Sequence, residues 1–447
     1  MLYNTEENCN KNILVENRDT SKAKRQHEID TSSCCKYTQP GNSTERLCTF
    51  HGCRVVIGNQ IKNVVHLVHS PIGCAYYSWD YRSQSYGYGF TTDIQERDII
   101  FDSEEKLYNA ILKASEEFNP DAIFVYETCI PGLIGNDLQS ITKKASEEIG
   151  IPVVYFDCAG FKGATQNEGH KIANRQLFEI IGNGKEEFHS TPYDVNVIGG
   201  GSSVKEAKII EDMLSKIGIR VLCSFTDNAT IDKIRVMDRA KINIVHCTKS
   251  SMYLAKMMYK EYGIPYIKGN FFGIENCSMS LRNIGKALNI DKDKIENFII
   301  ENLERIKEKL EFHRENLKGK RVFISHGAQR VLNYIDPLKN DLNMDIAGVA
   351  TYFGNEKNYK EILKKIPKET VVLDNPNSYE LERAIVESNA DVVISDNHIR
   401  HLVHKLGVPF VYGRGGKKSY IGFDGFINFA DEVHGAINSK IWKLLNN

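Results

Sequence analysis

Beyond a polar arm, short runs of β-branched residues alternate with amphipathic stretches of helical length through the rest of the chain. That alternation dictates parallel sheets, because each parallel crossover needs a dozen or more residues and the crossing helices bury both sheet faces. The spacing predicts strands at 121–126 and 152–156 around a helix over 137–149. A second set begins with YDVNVIG at Tyr193, continues through a helix over 204–217 and IRVLCSF from Ile219, and ends with INIVH from Ile242. A third set contains KRVFIS from Lys320, MDIAGVAT from Met344, TVVLD from Thr370, ADVVISD from Ala390 and VPFVYG from Val408. Residues 291–316 read as a long charged helix between the second and third sets.

The expected fold is α/β: three doubly wound, Rossmann-like modules with parallel sheets, at 45–190, 191–318 and 319–447, the long helix counted with the second. Residues 1–44 are rich in Asn, Glu, Lys, Ser and Thr and form the polar arm, with too few large apolar residues for a core of their own. In such sheets ligands collect at the carboxyl ends of strands, so residues that directly follow a strand carry the most functional weight.

Basic and acidic side chains nearly cancel, 57 against 58, so no overall field favours nucleic acid or an anionic membrane. The first residues, MLYNTEENCNKN, lack the features of an export signal, and no run reaches the roughly 18 apolar residues of a membrane span; a cytoplasmic protein is expected. Its 11 cysteines, an odd number without an export signal, argue for reduced thiols rather than a disulfide framework.

Most buried thiols serve packing, the role expected of Cys158 and Cys223 in apolar strands. Cys9, Cys34, Cys35 and Cys277 suggest no role. Cys48, Cys74 and Cys129 lie beside Gly and Pro in LCTFHG, HSPIGCAYYSW and YETCIPGLIG, turn chemistry that lets backbone amides approach a sulfur-bound ligand. Their wide spacing excludes the compact zinc-finger arrangement of close Cys pairs. A [4Fe–4S] cluster takes four thiolates, so three from one chain imply either an interfacial cluster completed by a second chain or thiols that never meet. Cys247 ends the apolar run INIVHC before a helical start, where packing and ligation are equally open roles.

Taken in order, HLVHSPIGC, FTTDIQERDIIF, LIGNDL, GFKGATQNEGHKIAN, STPYDVNVIG, KINIVHC, YGIPYIKGNFFG, LKGKRV and YIGFDGFINFA resemble the nitrogenase component 1 family over about residues 36 to 442, with Ser70 in place of the family's glycine. That family contains the catalytic molybdenum–iron α chains and the E-type subunit of the scaffold on which their cofactor is built. The resemblance implies that Cys48, Cys74 and Cys129 hold a cluster, of the P-cluster or [4Fe–4S] type, shared with a β-type subunit in an α2β2 heterotetramer. It implies that Cys247 anchors one end of the iron–molybdenum cofactor, its precursor or a related iron–sulfur cofactor. Gln166 and His170 match residues beside that cofactor, while Arg82 and Val56 match positions on its reactive face. His170 is the expected proton donor, since imidazole titrates near neutrality; the alternative is a buried histidine bonded to its neighbours.

Two positions depart from the catalytic pattern. Tyr412 occupies the place of the histidine that ligates the far metal, and the family's cofactor-facing arginine falls on Gln329, with Arg330 displaced by one. Arg414, Lys417 and Lys418 could make a basic lip for an anionic cofactor or simply a solvated turn. The E-like segment CKYTQPGNSTERLCTFHG and Tyr412 favour a scaffold; Gln166, His170 and Arg82 favour a catalytic α-type subunit. A structural homologue with packing cysteines and no metal is the third alternative. The chain lacks a P-loop, and GGGSS at 199–203 has the wrong spacing for a dinucleotide loop, so ATP hydrolysis is expected on a separate iron-protein reductase.

Overall fold

The computed structural model describes residues 48–58, 61–80, 88–162, 166–184, 189–199, 204–352, 354, 356–414 and 418–442. The expectations for the polar arm, Cys9, Cys34, Cys35, Arg82, the GGGSS segment beyond Gly199, and Lys417 lie outside these residues. Residues 44–269 and 270–447 form two compact units.

The first unit holds two parallel sheets. One is built from β1 (Val64–His69), β2 (Tyr88–Thr91), β3 (Ala122–Glu127) and β4 (Val153–Phe156), in the order β2-β1-β3-β4. Its alternate residues feed two cores. Val65, Leu67, Ile123 and Val125 pack with Leu107, Ile111 and Ala114 of the helix Glu104–Phe118. Val64, Val68, Ala122, Phe124 and Tyr126 share the other core with Phe50 and Ile57 of the helix Thr49–Ile57. Both faces are covered, as a parallel sheet requires. The second sheet contains β5 (Asp194–Ile198), β6 (Arg220–Phe225), β7 (Ile242–Val245) and β8 (Tyr266–Lys268), in the order β6-β5-β7-β8.

The second unit carries one parallel sheet of β9 (Arg321–Gly327), β10 (Asp345–Tyr352), β11 (Val371–Asp374), β12 (Val392–Ser395) and β13 (Phe410–Tyr412), in the order β11-β10-β9-β12-β13. The helix Lys292–Leu317 starts at Asp291, whose carboxylate accepts from the amide of Asp293. It lies against the helix Gly422–Ile437, to which it is joined by Arg305–Asp424 at 2.6 Å and His313–Asp431 at 2.9 Å.

Each sheet grows first to one side and then to the other of its first strand. The direction reverses between β1 and β3, between β5 and β7, and between β9 and β12. Crossover loops on the two sides of such a reversal leave in opposite directions, so a crevice opens at the carboxyl ends of those strand pairs.

Candidate functional site

At the first reversal, β1 leads to the helix Ile72–Asp80, which carries Cys74, and β3 leads to the helix Cys129–Ile134, which begins with Cys129. Cys48 caps the helix Thr49–Ile57, its Sγ accepting from the amide of His51 at 3.4 Å. The Thr49 hydroxyl and amide both donate to the carbonyl of Gly160 at 3.3 Å, which holds this cap against the loop after β4. A Cβ on Gly160 would stand 2.9 Å from Cys129 Sγ and 3.2 Å from Cys48 Sγ, so this glycine is the floor on which two of the thiols rest. The Thr128 hydroxyl donates to the His69 carbonyl at 2.8 Å and ties the Cys129 turn to the end of β1. His69 in turn contacts Thr92 at 2.9 Å and Ser103 at 3.0 Å; burial, aided by the charge of Lys106, lowers its pKa to about 4 and keeps the ring neutral.

The three thiols are half buried. Burial raises the Cys48 pKa, the charge of Cys129 adds to it, and the His51 amide opposes it. For Cys74, burial comes first and the charges of Cys48 and Cys129 follow. Three thiolates gathered in this way repel one another and call for a compensating cation, which is the chemistry of a thiolate-ligated iron cluster. Among the described residues no three His, Cys, Asp or Glu side chains close on a single ion. A four-iron cluster binds each thiolate through a different iron, so its ligands need not close on one ion, and three neighbouring thiols suit such a group.

Apolar side chains flank the trio in the open. Tyr76 is 70% and Leu133 73% exposed, and Ile72 and Phe161 are exposed beside them. The helix Glu96–Phe101, packed on Cys129–Ile134, adds Ile100 and Phe101. Behind the trio lies Cys158, hydrogen-bonded to Cys53 and donating to the Glu127 carbonyl at 3.4 Å; burial pushes the Cys158 thiol well up. Cys53, which follows Gly52 but lies inside the helix Thr49–Ile57, escaped the sequence reading.

At the second reversal, Cys247 caps the helix Thr248–Tyr262 just beyond β7, with a thiol that makes no capping bond. Gly199 lies just beyond β5, and a Cβ on it would stand 2.5 Å from the Cys247 amide nitrogen. Gln166 and His170 lie one turn apart on the helix Gln166–Phe178. That helix crosses Thr49–Ile57 at Gly52 and Gly169. A Cβ on Gly52 would meet the Gln166 carbonyl at 2.2 Å, and one on Gly169 would meet the Thr49 carbonyl at 2.0 Å. The helices therefore touch backbone to backbone, between the residue after Cys48 and the residue before His170. Val56 is fully buried in the same core, its carbonyl accepting from Thr226 at 2.6 Å.

At the third reversal, in the second unit, the chemistry is ionic. Arg414 donates from Nε to Asp396 Oδ1 at 2.6 Å and from Nη2 to Oδ2 at 3.3 Å. His326 Nε2 stands 3.4 Å from the same carboxylate. Burial works against ionisation of Asp396, but the charge and hydrogen bonds of Arg414 outweigh it and hold the carboxyl well below its usual range. Burial also keeps His326 neutral, its pKa falling despite Asp396. The Gly413 carbonyl receives the Tyr334 hydroxyl and, at 3.5 Å, Arg330 Nη1. Tyr412 at the end of β13 is thus followed by two residues held by the helix after β9 and the loop after β12. Gln329 sits beside Arg330 in the first turn of the helix Ala328–Asp336, and Lys418 is exposed. The Asp396–Arg414 bond joins two loops 18 residues apart and had no signal in the sequence.

The family of nitrogenase component 1 type oxidoreductases matches residues 48–438. The nitrogenase molybdenum-iron protein alpha chain of Methanothermobacter marburgensis is 37% identical over 440 residues, covering 94% of this chain and 93% of that one. The nitrogenase iron-molybdenum cofactor biosynthesis protein NifE of Clostridium pasteurianum is 38% identical over 422 residues, covering 92% and 91%. The solved structure of nitrogenase Cp1 at pH 5 superposes with a TM-score of 0.85 at 31% identity and covers 98% of both chains. Among the described residues no helix is long and apolar enough to cross a membrane. With its three parallel sheets and its thiols at the carboxyl ends of their strands, the chain belongs to the nitrogenase component 1 type oxidoreductase family.

Proposed function

We propose that this α-type chain is the E-type subunit of a scaffold on which an iron–sulfur precursor of the nitrogenase cofactor matures before transfer. The end of β13 carries this reading. There Tyr412 replaces the metal-ligating histidine expected of a catalytic α chain, and it is followed by Arg414, bound by Asp396. With Arg414 neutralised by Asp396, a phenol offers an anion a hydrogen bond, whereas imidazole ligates a transition metal directly. Cargo anchored by the Cys247 thiolate, with no imidazole at position 412 to ligate it, is cargo that can leave.

Cys48, Cys74 and Cys129 would hold three corners of a [4Fe–4S] cluster, the fourth thiolate coming from a β-type partner in an α2β2 heterotetramer. The exposed Ile72, Tyr76, Leu133 and Phe161 supply the apolar face such a partner would cover. When bound, these iron–sulfur groups supply one-electron redox chemistry. Electrons would come from an ATP-dependent iron protein. Gln166 and His170, held on one helix, would contact the cofactor, with the imidazole holding a proton beside it.

The second reading is a catalytic α-type subunit, favoured by the retention of Gln166 and His170 on a helix packed against both Thr49–Ile57 and the helix that Cys247 caps. One experiment separates the two. The complex is purified anaerobically, supplied with its own iron protein and ATP, and assayed for proton and acetylene reduction. In parallel it is mixed with a cofactor-free catalytic component 1. Negligible turnover with activation of the acceptor is the scaffold outcome. Nitrogenase-like turnover without activation would sink the scaffold reading and leave the catalytic one.

A further inference from the structure

Asn174 is wholly buried on the helix Gln166–Phe178, and its side-chain amide donates twice, to the His170 carbonyl at 2.7 Å and to the Ser250 carbonyl at 2.6 Å. Its Oδ1 has no hydrogen-bond partner among the described residues, so the two donations are what keep an amide in this position. Ser250 lies in the first turn of the helix capped by Cys247, and the Ser251 amide bonds the Cys247 carbonyl at 3.2 Å. One amide thus bridges the turn that carries His170 and the turn that follows Cys247.

The opposite side of the His170 helix is fixed as well. Gly169 lies against the Thr49 carbonyl and the Cys53 amide, where a Cβ would come within 2.0 and 2.5 Å. The helix can move neither toward the Cys48 cap, where backbone already meets backbone, nor away from the Cys247 helix without breaking the Asn174 bond.

We infer that Asn174 is a positioning residue: its two hydrogen bonds set where His170 stands relative to the Cys247 thiol, with the Gly52–Gly169 crossing as the stop on the other side. The inference rests on the reading of Cys247 and His170 as residues that face one cofactor. It separates their geometry from that of the thiol trio, which Asn174 does not touch.

The test uses the native complex, purified anaerobically, with Asn174→Leu and Asn174→Asp. Leucine removes both donors; aspartate keeps the volume and turns a carboxylate toward two carbonyls. Asn174→Asp carries the test if the leucine variant does not accumulate. Loss of both bonds predicts that amide exchange in residues 170–176 and 248–254 quickens about ten-fold or more. It also predicts that the electron paramagnetic resonance of the Cys247-anchored group shifts, while the signal and iron of the cluster held by Cys48, Cys74 and Cys129 stay unchanged. Unchanged exchange in a complex that still assembles would overturn the proposal, and so would faster exchange with an unshifted resonance. A Cys247→Ala control keeps the two failures apart: if that variant retains every paramagnetic signal, the cofactor reading of Cys247 has failed, and the exchange result still reports on the clamp.

Discussion

The first and third sheets reverse direction in the same way, yet the residues gathered at their two crevices differ in kind. At the first, three half-buried sulfurs that would repel one another as thiolates lie amid exposed apolar side chains. At the third, Asp396 binds Arg414 through both oxygens with His326 alongside, and Tyr334 and Arg330 hold Gly413. On the proposed function the first set is completed by a cluster and a covering partner. The third neutralises itself. Shared topology thus positions a crevice, and the charge balance inside it separates a site built to receive a group from one built to hold a loop in place.

The comparison is most sharply broken at the thiols. Cys129→Ala, or Cys48→Ala, should abolish the signal of the interfacial cluster and lower the complex's iron by the whole cluster. The chain's own fold should be retained, because these side chains are half exposed; iron analysis and circular dichroism check both. Asp396→Ala should do the reverse. Loss of the partner of Arg414 should destabilise the second unit by about 2–4 kcal/mol in urea unfolding, with the cluster signal intact.

A third prediction concerns Asp341 in the second unit. Burial raises its pKa to about 6, against the opposing amide of Ile274 at 2.8 Å and the charge of Arg314. A carboxyl whose folded pKa is raised contributes stability fully present below its unfolded value near 4, and that contribution is lost as pH rises through about 6. Asp341→Asn should therefore be more stable than the native chain by about 1–3 kcal/mol at pH 7.5, the gap closing near pH 4. Unfolding curves across that range decide it. The smallest effect belongs to the exposed apolar rim: Leu133→Glu or Ile72→Glu should weaken assembly with the β-type partner by about ten-fold, near 1.4 kcal/mol, by sedimentation. Assembly unaffected by both would mean that the thiol trio faces solvent.

Much of this architecture was legible because Val and Ile runs mark buried parallel strands. The long helix, expected over 291–316, spans Lys292–Leu317 with Asp291 as its cap. β1 was not read as a strand, since His66 and His69 interrupt its apolar pattern. Both histidines are in fact buried, His66 against Tyr126 at 2.8 Å and Arg54 at 3.1 Å, His69 against Thr92 and Ser103. A polar residue that finds its partner in tertiary structure looks, in sequence, like an exposed one. The thiol trio was legible through its Gly and Pro neighbours. Asn174, Asp396 and Cys53 were not, because each acts on a residue distant in sequence.

The crossing at Gly52 and Gly169 leaves no gap between two helices. Hydrostatic pressure unfolds proteins by eliminating internal voids, so it has little to act on at this joint. Compression should loosen the first unit elsewhere first, and the stretch from Cys48 to His170 should be among the last parts of it to yield.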